Sequence, residues 1–153
     1  QALFWYQRGC FWGSYRACAY FLLTDAEPQE MPRDEFGVTT AQRNRAISLL
    51  PFARAECNDA NQNCRMLGFI YEIGAGVEQS YPEAQDLFWR SCEAERRPDG
   101  RACVSLAFLA LSGKGSEPDQ ARAFEYIRRA CDLGIQETCA LLEQDENPSS
   151  PVD

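Results

Sequence analysis

At 153 residues the chain is long enough to bury a core of its own without help from cross-links. Its formal charge of -8, from 15 basic against 23 acidic residues, excludes the basic footprint that a nucleic acid or an anionic membrane surface requires and fits a partner protein that is basic or neutral at the contact. It has no histidine, which removes the usual general base near neutral pH and the commonest zinc ligand, and only one lysine, Lys114.

In chain order, the sequence opens on QALFWYQRGC, in which Ala2, Trp5, Tyr6 and Gly9 precede Cys10 at helical spacings. Six aromatics between Phe4 and Tyr15 read as packing surface, because Gln7, Arg8 and the spacing argue against a membrane anchor. Cys18 begins a helix, CAYFLLTDA, that contains Leu23, and a long connection follows from Asp25 to Thr40 with Pro28 and Pro32, a candidate recognition loop. The next helix carries Ala46, Leu49, Leu50 and Ala53 and is expected to kink at Pro51. From Cys64 to Tyr71, small or apolar residues at i, i+3, i+4 and i+7 predict a helix that the Gly74 to Gly76 stretch ends. Ala84, Leu87 and Phe88 form the stripe of the following helix. After the connection EAERRPDGRA, Cys103 opens another helix, stopped by Gly113 to Gly115, and Asp119 precedes one with Ala123, Tyr126 and Ile127. Cys139 opens a last short helix, CALLEQ, and ENPSSPVD has the composition of a frayed tail. No run of 18 apolar residues exists to span a bilayer. The start at Gln1, with no signal-peptide pattern, reads as a processed or trimmed N-terminus.

The eight cysteines are Cys10, Cys18, Cys57, Cys64, Cys92, Cys103, Cys131 and Cys139; taken as sequence neighbours they are separated by 7, 6, 10 and 7 residues. A redox pair wants C-x-x-C and a structural zinc site wants two short-spaced clusters, and neither spacing occurs. Four local disulfides in an oxidising, extracytoplasmic compartment is the favoured reading, with an all-cysteine zinc site and free cytosolic thiols as the alternatives.

The segment from Cys64 to Cys92 repeats from Cys103 to Cys131 at a constant offset of 39, pairing Leu67 with Leu106, Gly74 with Gly113, Gly76 with Gly115, Ala84 with Ala123 and Phe88 with Ile127. Each unit is a helical hairpin too small to bury its apolar face alone, so units must stack. The motif L-G-x-x-Y-x-x-G-x-G-V, present as Leu67, Gly68, Tyr71, Gly74, Gly76 and Val77 with the following Ala84, resembles the Sel-1-like repeat, a relative of the tetratricopeptide repeat. A cysteine ending each second helix, followed by one opening the next first helix, is similar to the cysteine-rich Hcp branch of that family. The likeness is strongest from Cys57 to Leu142, with departures at Ala107, Ala110 and Ser116 and in the long Cys92 to Cys103 connection.

The resemblance implies an all-α, right-handed α/α superhelix stapled by local disulfides, with first helices lining a concave face. Residues 1–145 would form one solenoid: a partial unit over 1–17, units over about 18–63, 64–102 and 103–138, and a terminal helix over 139–145, before a tail at 146–153. Each disulfide would then link the end of one unit to the start of the next.

Nothing in the sequence supplies an enzyme. Hcp-type proteins have been associated with penicillin binding, yet S-x-x-K, K-T-G and G-x-S-x-G are all absent, and GAGVEQ and GKGSEP are helix-ending turns that do not match a phosphate loop. No cofactor is expected. First-helix positions that the repeat does not claim for its core are Leu23, Arg65, Phe69, Glu72, Val104, Phe108 and Leu111, the expected protein-binding face, with Phe69 and Phe108 as a stacked aromatic pair. The resulting expectation is a periplasmic or secreted binding module, such as an immunity protein that blocks an antibacterial effector, or else an envelope scaffold or adaptor for secretion or cell-wall machinery.

Overall fold

The computed structural model describes residues 32–57 and 64–146, the side chains of 144–146 excepted. The first partial unit, the helix from Cys18 with Leu23, the Cys10 and Cys18 pair and the tail beyond Glu146 lie outside the described residues. Among the described residues six helices follow one another: α1 (Thr40–Glu56), α2 (Cys64–Ile73), α3 (Tyr81–Cys92), α4 (Gly100–Ser112), α5 (Gln120–Asp132) and α6 (Gln136–Glu146). The heaviest contacts run between consecutive helices, as a stack of hairpins requires, and the described residues form an all-α solenoid.

Local chemistry sets where each helix starts. Thr39 caps α1 in a capping box, its hydroxyl accepting from the Gln42 N–H while the Gln42 side chain accepts from the Thr39 N–H. Ser80, Asp99 and Asp119 cap α3, α4 and α5 in the same sense. Pro51 does not end α1, which continues to Glu56. It removes only the hydrogen bond to the Ile47 carbonyl, and both residues face solvent. Helix α6 begins at Gln136, three residues before the sequence reading placed it, because the Leu133-Gly134 turn already sets the Thr138 and Cys139 N–H groups on the Ile135 carbonyl.

Packing explains the repeat motif. A Cβ on Gly68 would lie 2.8 Å from two ring carbons of Phe88 and 3.3 Å from the Ala84 carbonyl, so Gly68 and Ala84 are the small residues that let α2 and α3 touch. Buried Ala46, Leu50 and Ala53 of α1 meet Leu67, Ile70 and Ile73 of α2 and Leu87 of α3. A second cluster joins Ala84 and Phe88 to Leu106, Phe108 and Leu109 of α4, and a third joins Ala107 and Ala110 to Ala123 and Ile127 of α5.

Disulfides Cys57–Cys64, Cys92–Cys103 and Cys131–Cys139 cross the three described junctions α1/α2, α3/α4 and α5/α6. Each closes a short loop and contributes about 2–3 kcal/mol by restricting the unfolded chain. These sulfurs are consumed in staples, which disposes of the zinc and free-thiol alternatives for these six. Arginine adds a second tie. Arg43 on α1 donates to the Ile73 carbonyl at 2.7 Å and the Gly74 carbonyl at 3.3 Å, satisfying the C-terminal end of α2, and pairs with Asp34. Burial alone would raise the Asp34 carboxyl, but hydrogen bonds from Arg43 and from the Val38 and Phe36 N–H groups hold it below its usual value.

Candidate partner-binding face

The first helices α2 and α4 carry six of the seven expected contact residues. Phe69 and Leu111 are half-buried, their rings and methyls packed at the edges of the core clusters. Arg65 is not free: its Nε donates to Asp99 Oδ2 at 2.6 Å, and Asp99 Oδ1 accepts from the Arg101 and Ala102 N–H groups at the start of α4. One carboxylate therefore caps α4 and ties it to α2. The sequence signal for this cap is an Asp directly before a glycine-led apolar run.

Three positions differ from the exposed face expected. Val104 and Phe108 are buried, because α4, flanked by α3 and α5, is covered from Ala102 to Ala110. Glu72 is only 5% exposed although it is a carboxylate. Its Oε2 accepts no hydrogen bond, and burial, opposed by the positive charge of Lys114, pushes it up to about 8. The aromatic pair is thus asymmetric: Phe69 reaches the surface and Phe108 lies under the lone lysine, whose Nζ sits 5.4 Å from the Phe108 ring centre and 5.8 Å from that of Tyr81. In the sequence Lys114 sits in a turn that matches no phosphate loop, and Tyr81 carries no signal of its own. The 39-residue offset held the clue: Lys114 stands where the preceding unit has the fully buried Ala75.

Large apolar side chains exposed among the described residues are Ile47 and Phe52 on α1 and Trp89 on α3. No group of three His, Cys, Asp or Glu side chains among the described residues could hold a metal, and no helix there is long and apolar enough to cross a membrane.

Comparison with known proteins gives this face its context. The model of the Sel1 repeat matches residues 1–10, 64–95 and 100–135, together just over half of the chain. The chain belongs to the Sel1 repeat family. Sel1 repeats make a protein-interaction module, and the match is to the repeat as a whole, without singling out a cysteine-rich branch. Among curated proteins, cytochrome c oxidase assembly factor 7 of Homo sapiens is 32% identical over 100 residues, which cover 63% of this chain and 43% of the relative. The protein of the same name from Mus musculus is 28% identical over 128 residues, covering 80% and 55%, and that from Danio rerio 30% over 87 residues, covering 55% and 38%. The chain spans about half the length of these relatives. No solved structure matches at a significant level.

These relatives correct the expected location. The Sel1 repeats of this chain find their likeness in animal proteins, and animal cells have no periplasm, so the periplasmic or secreted bacterial setting does not stand. The error lay in equating an oxidised cysteine framework with a bacterial envelope, when the disulfides call only for an oxidising compartment.

Proposed function

We propose that the chain is a non-catalytic binding module that holds other proteins while a larger complex is assembled; its relatives are named as assembly factors of cytochrome c oxidase. The observation that carries this reading is the likeness to those assembly factors across helical hairpins whose described junctions are each closed by a disulfide. A stapled stack loses little conformational freedom on binding, which suits recognition by shape. The acidic balance speeds capture of a basic partner at low ionic strength. Within the first-helix face, burial leaves Phe69 and Leu111 as the accessible apolar contacts, flanked by the Arg65–Asp99 pair; Leu23 extends the same row in the sequence register. The immunity-protein reading has lost its support, and of the scaffold reading the adaptor role remains without its bacterial machinery.

Affinity capture from cells, with the full chain as bait, tests the proposal. Cytochrome c oxidase subunits are expected among the captured proteins, with recovery falling at least tenfold for Phe69→Asp combined with Leu111→Asp. Absence of any oxidase subunit would overturn the assembly role, and equal recovery by the variant would remove the face.

A further inference from the structure

The turn between α4 and α5 lies on the first turn of α3. Gly115, at φ 82°, approaches so closely that a Cβ there would stand 2.7 Å from the Tyr81 Cβ. This contact holds Lys114 over the Tyr81 and Phe108 rings. On α2 the buried Glu72 carboxyl, whose Oε2 accepts no hydrogen bond, is near enough to feel the Lys114 charge and to act in turn on the Tyr81 phenol. The lysine charge acts on Glu72 through space, but none of the ion pairs among the described residues joins the two. A buried carboxyl with an orphaned oxygen is destabilising, and at the matching position of the next unit the chain has a leucine, Leu111. Three elements thus converge on an acid and two rings that the chain's only lysine covers without pairing.

We propose that Glu72, Tyr81 and Phe108 form a receptor for an arginine side chain of a partner protein, a place that Lys114 holds in the free chain and vacates on binding. The inference rests on the reading of the chain as a protein-binding module. A guanidinium is the cation that fits, because its plane lies along aromatic faces while its N–H fork donates two bonds to one carboxylate. A tethered ammonium meets the rings and leaves Oε2 unsatisfied, as is seen with Lys114. The overall charge of -8 favours approach of a cation.

Binding is also linked to protons. Burial keeps the proton on Glu72 up to about pH 8, so the arriving guanidinium releases that proton to solvent. The other groups acting on the site are Lys114 and the Tyr81 phenol, itself raised by burial and by the charges of Glu72 and Glu35. Affinity is therefore expected to rise with pH from 6 towards 8.

The test titrates the full, oxidised chain with butylguanidinium in the millimolar range, following the amide resonances of Gly113 and Gly115, with butylurea as the neutral analogue. The wild type is expected to respond to butylguanidinium and not to butylurea. Lys114→Ala, which vacates the place, should bind at least tenfold more tightly, Lys114→Met should do likewise with the aliphatic stem kept, and Glu72→Gln should abolish binding. Failure of both Lys114 variants to gain affinity, or equal binding by Glu72→Gln, would overturn the receptor and leave Lys114 a structural counter-charge. Tighter binding of butylammonium than of butylguanidinium would overturn the assignment to arginine. Because the readout needs no partner protein, a negative result leaves the capture experiment above unaffected.

Discussion

Glu72→Gln removes the buried carboxyl whose proton, among the described residues, the fold controls, and its effect can be worked through. In the folded chain Glu72 is raised from 4.5 to about 8, chiefly by burial. Between those values the folded state keeps a proton that the unfolded state has released. Unfolding free energy must then fall as pH rises, by up to about 1.4 kcal/mol per pH unit. The stabilisation is complete below pH 4.5 and gone above pH 8. Over the whole window the loss amounts to roughly 3–5 kcal/mol. Glutamine keeps the shape and the polar tip but has no proton to lose. Urea unfolding of both proteins from pH 5 to 9, with disulfides intact, should give curves that converge in acid and diverge in base, the variant becoming the more stable. Lys114→Met, by removing the opposing positive charge, should carry the wild-type decline to higher pH. Parallel curves for wild type and Glu72→Gln would refute the reasoning, since other titrating groups cancel in the difference.

Gly68→Val should cost about 2–3 kcal/mol, because its Cβ meets a Phe88 ring that is itself fully buried. Gly134→Ala, where nothing lies within 4 Å of the new Cβ but φ is 89°, should cost only about 1 kcal/mol from backbone strain, and thermal or urea melts will rank the two. Replacing Cys92 and Cys103 together by Ala should lower unfolding free energy by about 2–3 kcal/mol without changing helix content by circular dichroism. A double-mutant cycle on Arg65→Ala and Asp99→Ala should return a coupling of about 1 kcal/mol, with Asp99→Ala costing the more because it also uncaps α4.

The fold was legible because its signals are local and repeated. Leu67, Gly68, Gly74, Gly76 and Ala84 recur or find apolar counterparts 39 residues on, and each answers to a backbone demand: a close helix contact at Gly68 and Ala84, positive φ at Gly74, Gly76, Gly113 and Gly115. The exact start of α6 was less legible, since hydrogen bonds across a turn decide it. The burial of the proposed contact face was legible only in part. Helical periodicity tells which residues share a side of α4, but covering of that side by α3 and α5 buries Val104 and Phe108.

The sequence by itself determined the class of the object: hairpins of fixed length, helix stops at paired glycines, and cysteines placed at the hairpin junctions, because each of these follows from contacts within one unit or across one short loop. Tertiary structure decided the chemistry of the face. Asp99 becomes a link between α2 and α4, Arg43 closes the end of α2, and Lys114 comes to rest over Tyr81 and Phe108, where its charge acts on a proton-holding Glu72. These pairs are 30 or more residues apart in sequence, with the single exception of Lys114 and its near neighbour Phe108. Their interaction depends on distance and exclusion of water, quantities that no spacing rule contains and that exist only once neighbouring units have stacked.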